Sequence, residues 1–134
     1  MKTPLILSFQ FMTDHTFLQI LENDSGLTDI PATHEWLKEN KKSIELKLEE
    51  HGAILFKDLP TETAEDFDQF VSTFNYDTFT YEESLSNAVR INKTSKVFTA
   101  NEAPREVEIF LHHEMAQTPS YPKNIFFFCK SASE

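Results

Sequence analysis

Residues 33–74 read THEWLKENKKSIELKLEEHGAILFKDLPTETAEDFDQFVSTF, and this stretch decides the fold class. Thr33 offers an N-cap for a helix over residues 34–50, whose apolar side chains recur at i, i+7 and i+11 on one stripe. Gly52 follows at the position typical of a left-handed helix stop. Residues 53–56, AILF, form a short apolar run between turn signals, which predicts a buried strand.

A second helix is predicted over residues 63–74, and its amphipathic pattern is the clearest in the chain. Apolar side chains occupy i, i+3, i+4 and i+7, which places all of them on one helical face. These residues are Phe67, Phe70, Val71 and Phe74. Either Thr61 or Thr63 supplies the N-cap. The segment as a whole therefore predicts helix, strand and helix in succession.

Apolar or β-branched runs on both sides of this segment predict further strands. They lie at residues 5–11, 97–99, 106–111 and 125–129. Residues 76–92 show no sustained period and are expected to form a loop, with at most a short strand. The order strand, helix, strand, helix and then several strands indicates an α+β fold. The last strand is strongly apolar, so we expect it to need neighbours at its edges and cover on its faces.

Composition and charge exclude several functions. The 134 residues suit a single domain with a modest core, and the net charge of −10 argues against binding nucleic acid or an anionic membrane surface. No apolar stretch approaches the length of a transmembrane helix, and the amino terminus lacks the features of a signal peptide. Cys129 is the single cysteine, which indicates a reducing, cytoplasmic location and predicts a buried, unreactive thiol.

The triplet His112-His113-Glu114 is the candidate functional motif, at the end of the strand predicted over residues 106–111. Strand side chains alternate, so His112 and Glu114 are expected to share one face and His113 the other. An imidazole and a carboxylate aimed at one ion supply two of the three ligands of a 2-His-1-carboxylate site, as in non-haem Fe(II) oxygenases. A solvated turn at a strand end is the alternative. A His-Glu-x-x-His zinc motif is excluded, because position 117 is a glutamine.

Other candidates for chemistry are weaker. His15, His34 and His51 fall in loops or at helix ends, and none of them is expected to bind a metal. His51 suits the negative end of the first helix dipole. The sequence has no phosphate-binding glycine loop, no basic patch and no nucleophile elbow, so we predict no catalytic side chain besides the metal ligands.

Five segments carry a resemblance to a known family. They are residues 50–60 (EHGAILFKDLP), 67–70 (FDQF), 97–104 (VFTANEAP), 109–115 (IFLHHEM) and 121–129 (YPKNIFFFC). Together they resemble the taurine dioxygenase-like (TauD/TfdA) family of Fe(II)/2-oxoglutarate-dependent oxygenases. The likeness is nearest to its clavaminate synthase-like and syringomycin-biosynthesis-like branch, which has His-x-Glu where the wider family has His-x-Asp. It covers residues 36–129, and the combination is far more specific than any one segment.

The resemblance implies the amino-terminal portion of a double-stranded β-helix (jelly-roll) oxygenase domain with two flanking helices. It implies that His112 and Glu114 bind Fe(II), and that 2-oxoglutarate and O₂ serve in the oxidation of a C–H bond of a small-molecule substrate. Arg90 aligns with an arginine near the substrate side and is expected to bind substrate. The whole chain, 1–134, is then a single, incomplete domain. Its parts are a strand and entry loop (1–32), a helix–strand–helix segment (33–74) and jelly-roll strands with His-x-Glu (75–134).

The family pattern continues with a Gly-Gly-x-Thr segment, a distal histidine ligand and an arginine that holds 2-oxoglutarate. None of these follows the matched segments within the 134 residues, so we expect a truncated enzyme that is inactive alone. The alternative is a non-catalytic, split or decayed oxygenase fragment that acts as a binding or assembly module. Its last apolar strand would then pair with a second copy or a partner chain. A partner that supplies the missing histidine and arginine would combine the two hypotheses.

Overall fold

Two helices and four strands form within the residues that this computed structural model describes, which are 3–8, 17–78, 90–100, 102–104, 106–115, 119 and 121–131. In chain order they are β1 (Thr3–Ser8), β2 (Gln19–Leu21), α1 (Ile30–His51), β3 (Ala53–Phe56), α2 (Ala64–Thr73) and β4 (Asn124–Cys129). The α+β fold class is confirmed. The chain divides into a sheet unit, Met1–Tyr76 with Lys123–Glu134, and a loop unit, Asp77–Pro122.

The four strands form one sheet in the order β2-β3-β1-β4. Strand β1 runs antiparallel to both of its neighbours, so Leu5 is paired with Leu55 on one side and with Phe127 on the other. Strand β2 is parallel to β3, with Ile20 beside Leu55. Helix α1 provides the crossover that a parallel pair requires. The strongly apolar β4 therefore lies at one edge of the described sheet.

Helix α1 begins about one turn earlier than the sequence predicts, because Asp29 caps it. Asp29 Oδ1 accepts a hydrogen bond of 2.8 Å from a first-turn N–H, and Pro31 occupies that turn, where a proline's missing N–H is not needed. Thr33 is buried and its hydroxyl donates to the Asp29 carbonyl at 2.8 Å, so its prediction as the N-cap is wrong. Gly52 ends the helix as predicted, with a left-handed φ of 73°.

Helix α2 begins with a complete capping box, which settles the choice between two threonines. Thr63 Oγ1 accepts from the N–H of Asp66 at 3.1 Å, and Asp66 Oδ2 accepts from the N–H of Thr63 at 2.9 Å. Two backbone donors at the helix start are thereby satisfied. Thr61 is buried just upstream of the cap.

Phenylalanine rings from three elements form the core of the sheet unit. Phe70 of α2 meets Phe56 of β3 edge-on, with ring centroids 5.3 Å apart. Phe67 of α2 stacks on Phe128 of β4, also at 5.3 Å. The apolar stripe of α1 is buried as predicted and comprises Leu37, Ile44 and Leu48. Each fully buried phenylalanine contributes roughly 1.5–3 kcal/mol, so this cluster is a major source of stability.

The strand predicted over residues 106–111 does not form, and that prediction is wrong. This segment is irregular and its apolar side chains are exposed, with Leu111 fully accessible to solvent. Strand-forming residues become a strand only when a neighbour accepts their backbone hydrogen bonds. The strand predicted at residues 97–99 is reduced to one bridge, between Asn92 and Phe98.

The predictions for Cys129, for the remaining parts of the first strand and the loop, and for membrane-spanning segments compare with the structure as follows. Cys129 is exposed, so its prediction as a buried thiol is wrong: it lies on the edge strand, with its side chain on the face opposite to Phe128. Residues 9–11 of the first predicted strand and 79–89 of the predicted loop lie outside the described residues. Among the residues that are described, no helix is long and apolar enough to cross a membrane.

Candidate metal centre

A short hairpin in the loop unit positions Arg90. Its two arms are joined by a backbone hydrogen bond of 3.0 Å from Thr99 to Ile91, and Ile91 returns one of 3.0 Å to the Thr99 hydroxyl. At the tip, Thr94 Oγ1 accepts from the N–H of Val97 at 3.0 Å, a side-chain turn of the kind that threonine favours. Arg90 stands at the base of this hairpin.

The guanidinium of Arg90 binds the carboxylate of Glu114. Nη2 of Arg90 lies 3.0 Å from Oε1 of Glu114, and the two side chains are only 14% and 23% exposed. The guanidinium carbon also lies 5.5 Å from the centroid of the Phe98 ring, which is within cation–π range. Phe98 and Arg90 share a face of the hairpin, since Phe98 pairs with the residue two positions after Arg90.

His112 turns its Nε2 atom toward the same carboxylate. Nε2 lies 3.8 Å from Oε2 of Glu114. Nδ1 of His112 lies 2.8 Å from the carbonyl oxygen of Phe110, and because a carbonyl only accepts, Nδ1 is the protonated nitrogen. In the neutral imidazole Nε2 then carries the lone pair, which is the state that a metal ligand needs.

His113 takes a different direction. Its Nδ1 atom donates to the Glu114 carbonyl at 2.9 Å, and its ring meets Tyr121 edge-on at 5.8 Å between centroids. The chain then bends at Met115, which is buried and has a left-handed φ of 58°, a conformation uncommon outside glycine. His112 and Glu114 thus come together at an irregular bend, and the predicted strand is not what pairs them.

The paired side chains fit one divalent ion. Metal–nitrogen and metal–oxygen bonds are about 2.1 Å long, so two donor atoms on one ion lie at most about 4.2 Å apart. Nε2 of His112 and Oε2 of Glu114, at 3.8 Å, fall within that limit. Imidazole and carboxylate are also ligands that Fe(II) accepts. No group of three potential ligands occurs among the described residues, so within them the pair corresponds to two of the three ligands of such a site.

His34 and His51 lie on α1 in the sheet unit, and His51 Nε2 is 3.8 Å from a carboxylate oxygen of Glu50. His15 lies outside the described residues.

No pattern in the sequence predicts the contact between Arg90 and Glu114. The two residues are 24 positions apart, and neither periodicity nor a local motif connects them.

A paired imidazole and carboxylate correspond to two of the three ligands in the 2-His-1-carboxylate set of non-haem Fe(II) oxygenases. The model of the family "Taurine catabolism dioxygenase TauD, TfdA family" matches residues 21–134, and the chain belongs to this family. It is also similar to a clavaminate synthase-like protein of Arabidopsis thaliana, with 37% identity over 101 residues. The matched segment makes up 75% of this chain and 30% of the relative, so the chain spans about a third of that protein's length.

Proposed function

We propose that this chain carries the first two ligands of an Fe(II) site in a 2-oxoglutarate-dependent oxygenase. His112 and Glu114 are the two ligands, and the site takes 2-oxoglutarate and O₂ to oxidise a C–H bond of a small molecule. The observation that carries the proposal is the 3.8 Å approach of His112 Nε2 to Glu114 Oε2, with Nδ1 of the histidine already engaged. Family membership supports the choice of metal and cosubstrate. The jelly-roll architecture belongs to the same proposal.

The chain's own residues prepare the site in three ways. The Phe110 carbonyl holds the imidazole in the tautomer that leaves Nε2 available. The Glu114 carboxylate would offset part of the positive charge of a bound ion. The side chain of His112 is more than half exposed, so an ion can reach Nε2 from solvent. When bound, the iron would supply the redox chemistry that activates O₂, which no amino-acid side chain provides.

A second candidate function is strand pairing with another chain. Strand β4 lies at an edge of the described sheet, and its Phe127 and Cys129 side chains are exposed. An apolar edge strand is a template for strand addition, either by a second copy or by a different protein. In this role the chain would be a binding or assembly module without catalysis.

An anaerobic titration with Fe(II) and 2-oxoglutarate, followed by visible absorbance, tests the first function. Chelation of 2-oxoglutarate by bound iron is expected to give a charge-transfer band that His112→Ala abolishes. His113→Ala is the matched control and is expected to keep the band, because His113 points to Tyr121. A band that survives His112→Ala would contradict the proposal, whereas a folded chain without a band would mean that these two ligands alone do not chelate 2-oxoglutarate. Concentration-dependent association that Phe127→Lys removes would then support strand pairing.

A further inference from the structure

We propose that Arg90 is a positioning residue for Glu114, which it holds with one carboxylate oxygen toward His112. The inference rests on the metal site proposed above and assigns Arg90 a role distinct from contact with substrate. The two oxygens of the Glu114 carboxylate have different partners. Oε1 binds Nη2 of Arg90 at 3.0 Å, whereas Oε2 faces Nε2 of His112 at 3.8 Å. One oxygen is used by the arginine and the other is presented to the ion.

A glutamate at an irregular bend needs such a constraint. Its side chain has three rotatable bonds, and fixing a side chain of this kind in one conformation costs conformational entropy. Glu114 lies beside Met115, outside any helix or strand, so secondary structure does not fix its direction. The described contact that does hold its carboxylate is the ion pair with Arg90.

Arg90 is itself held in place. The hairpin bonds between Ile91 and Thr99 fix the backbone next to it, and the Phe98 ring lies against its guanidinium. Because the side chains of Arg90 and Glu114 are both mostly buried, their attraction is screened less than that of a surface pair. A planar guanidinium also fixes the direction of the bond, which the point charge of a lysine does not.

The positioning role and a substrate-binding role lead to different measurements. A residue that only contacts substrate changes substrate affinity and leaves metal affinity untouched. A residue that orients a ligand changes metal affinity when no substrate is present. Partners of this second kind typically alter metal affinity by about 10–100-fold when they are removed.

The test is Mn(II) affinity, measured by electron paramagnetic resonance on the whole chain without substrate or 2-oxoglutarate. Arg90→Met is expected to weaken binding by about 10–100-fold, and Arg90→Lys is expected to recover part of the loss. Lys93→Met is the control, since it removes one positive charge from the exposed tip of the same hairpin. Circular dichroism checks that each variant is folded. If Arg90→Met does not fold, the Mn(II) affinity of Arg90→Lys tests the inference instead. Equal affinity in wild type and the Arg90 variants would overturn the inference.

A second, metal-free measurement separates this inference from the proposed function. Side-chain ¹³C relaxation of Glu114 is expected to show greater mobility in Arg90→Met than in wild type or Lys93→Met. If wild type shows no His112-dependent Mn(II) binding, the proposed metal site fails, and the relaxation measurement still decides whether Arg90 orders Glu114. Unchanged order of Glu114 in the folded Arg90 variants would overturn the positioning role by itself.

Discussion

Glu114 directs its Oε2 atom toward Nε2 of His112 at 3.8 Å, while its other oxygen remains 3.0 Å from Arg90. Both contacts depend on the length of the side chain. An aspartate is shorter by one carbon–carbon bond, about 1.5 Å, so its carboxylate cannot reach both partners from the same backbone position.

We therefore expect Glu114→Asp to weaken Mn(II) binding by about ten-fold, although it keeps the charge. Electron paramagnetic resonance titration of the whole chain measures the affinity. Glu108→Asp is the matched control, because Glu108 is an exposed carboxylate of the same irregular segment. Equal affinities for wild type and Glu114→Asp would show that the length of this side chain is unimportant.

Removing the central ring of the core is expected to lower stability strongly. Phe70 is 1% exposed and its ring lies 5.3 Å from Phe56 and 5.7 Å from Phe74. Phe70→Ala loses these contacts and leaves a cavity, so the free energy of unfolding should fall by about 3–5 kcal/mol in urea titrations. Phe110→Ala removes a ring of the same size that is 73% exposed. It should change the free energy of unfolding by less than about 0.5 kcal/mol. Similar losses in the two variants would contradict the assignment of the core.

The capping box of α2 is expected to act as one unit. Thr63→Ala should lower the free energy of unfolding by about 1 kcal/mol, because the N–H of Asp66 loses its acceptor. Thr73→Ala removes a hydroxyl from the other end of the same helix, where it only donates to the Gln69 carbonyl, and should have a smaller effect. In a double-mutant cycle, Thr63→Ala and Asp66→Ala should be less than additive. Full additivity would mean that the two hydrogen bonds are independent.

Helix α2 and strand β3 could be predicted because their signals are local. The phenylalanine spacing fixes one helical face, and β3 is an apolar run bounded by turns. The start of α1 differs from the predicted one because Thr33 also has the side chain of an N-cap. The first turn of a helix accepts a proline, so the helix includes Pro31 and is capped by Asp29. Strand β2 has three residues and exists through its parallel pairing with β3, a non-local contact that the sequence does not display.

For the candidate site, the sequence predicts that His112 and Glu114 lie close together, but it does not predict the structure around them. His112 and Glu114 were expected to share a face of a strand, and they do approach each other, but at a bend where Met115 has a left-handed backbone. The strand before them did not form, since no neighbour pairs with it among the described residues. Arg90 reaches Glu114 only through the hairpin of the loop unit, and such a contact depends on tertiary structure.

The segment before His112 is expected to limit solubility. Phe110 and Leu111 are exposed beside two further exposed apolar residues, Val107 and Ile109, and such a patch favours association. Leu111→Ser should raise the concentration at which the chain aggregates and change the free energy of unfolding by less than about 0.5 kcal/mol. The buried counterpart Leu37→Ser should instead destabilise the fold. A large stability loss in Leu111→Ser would show that Leu111 is packed in solution.

Tyr76 is expected to make the stability of the fold sensitive to alkaline pH. Burial raises the pKa of Tyr76, and the hydrogen bond of 2.8 Å that its hydroxyl donates to Glu45 raises it further. The unfolded chain has a tyrosine pKa near 10, so above that pH the unfolded state releases a proton that the folded state retains. The stabilisation by neutral Tyr76 is therefore complete below about pH 10 and is lost as the pH rises toward the folded-state pKa.

Urea titrations between about pH 9 and about pH 11 measure this effect. Wild type should lose stability more steeply than Tyr76→Phe, which has no proton to release. The upper limit of the difference is about 1.4 kcal/mol per pH unit, and partial exposure of the phenol reduces it. Tyr121→Phe removes an exposed hydroxyl and should follow wild type. Parallel curves for wild type and Tyr76→Phe would mean that the Tyr76 hydroxyl ionises with similar ease in the folded and unfolded chain, and that the bond to Glu45 does not hold its proton.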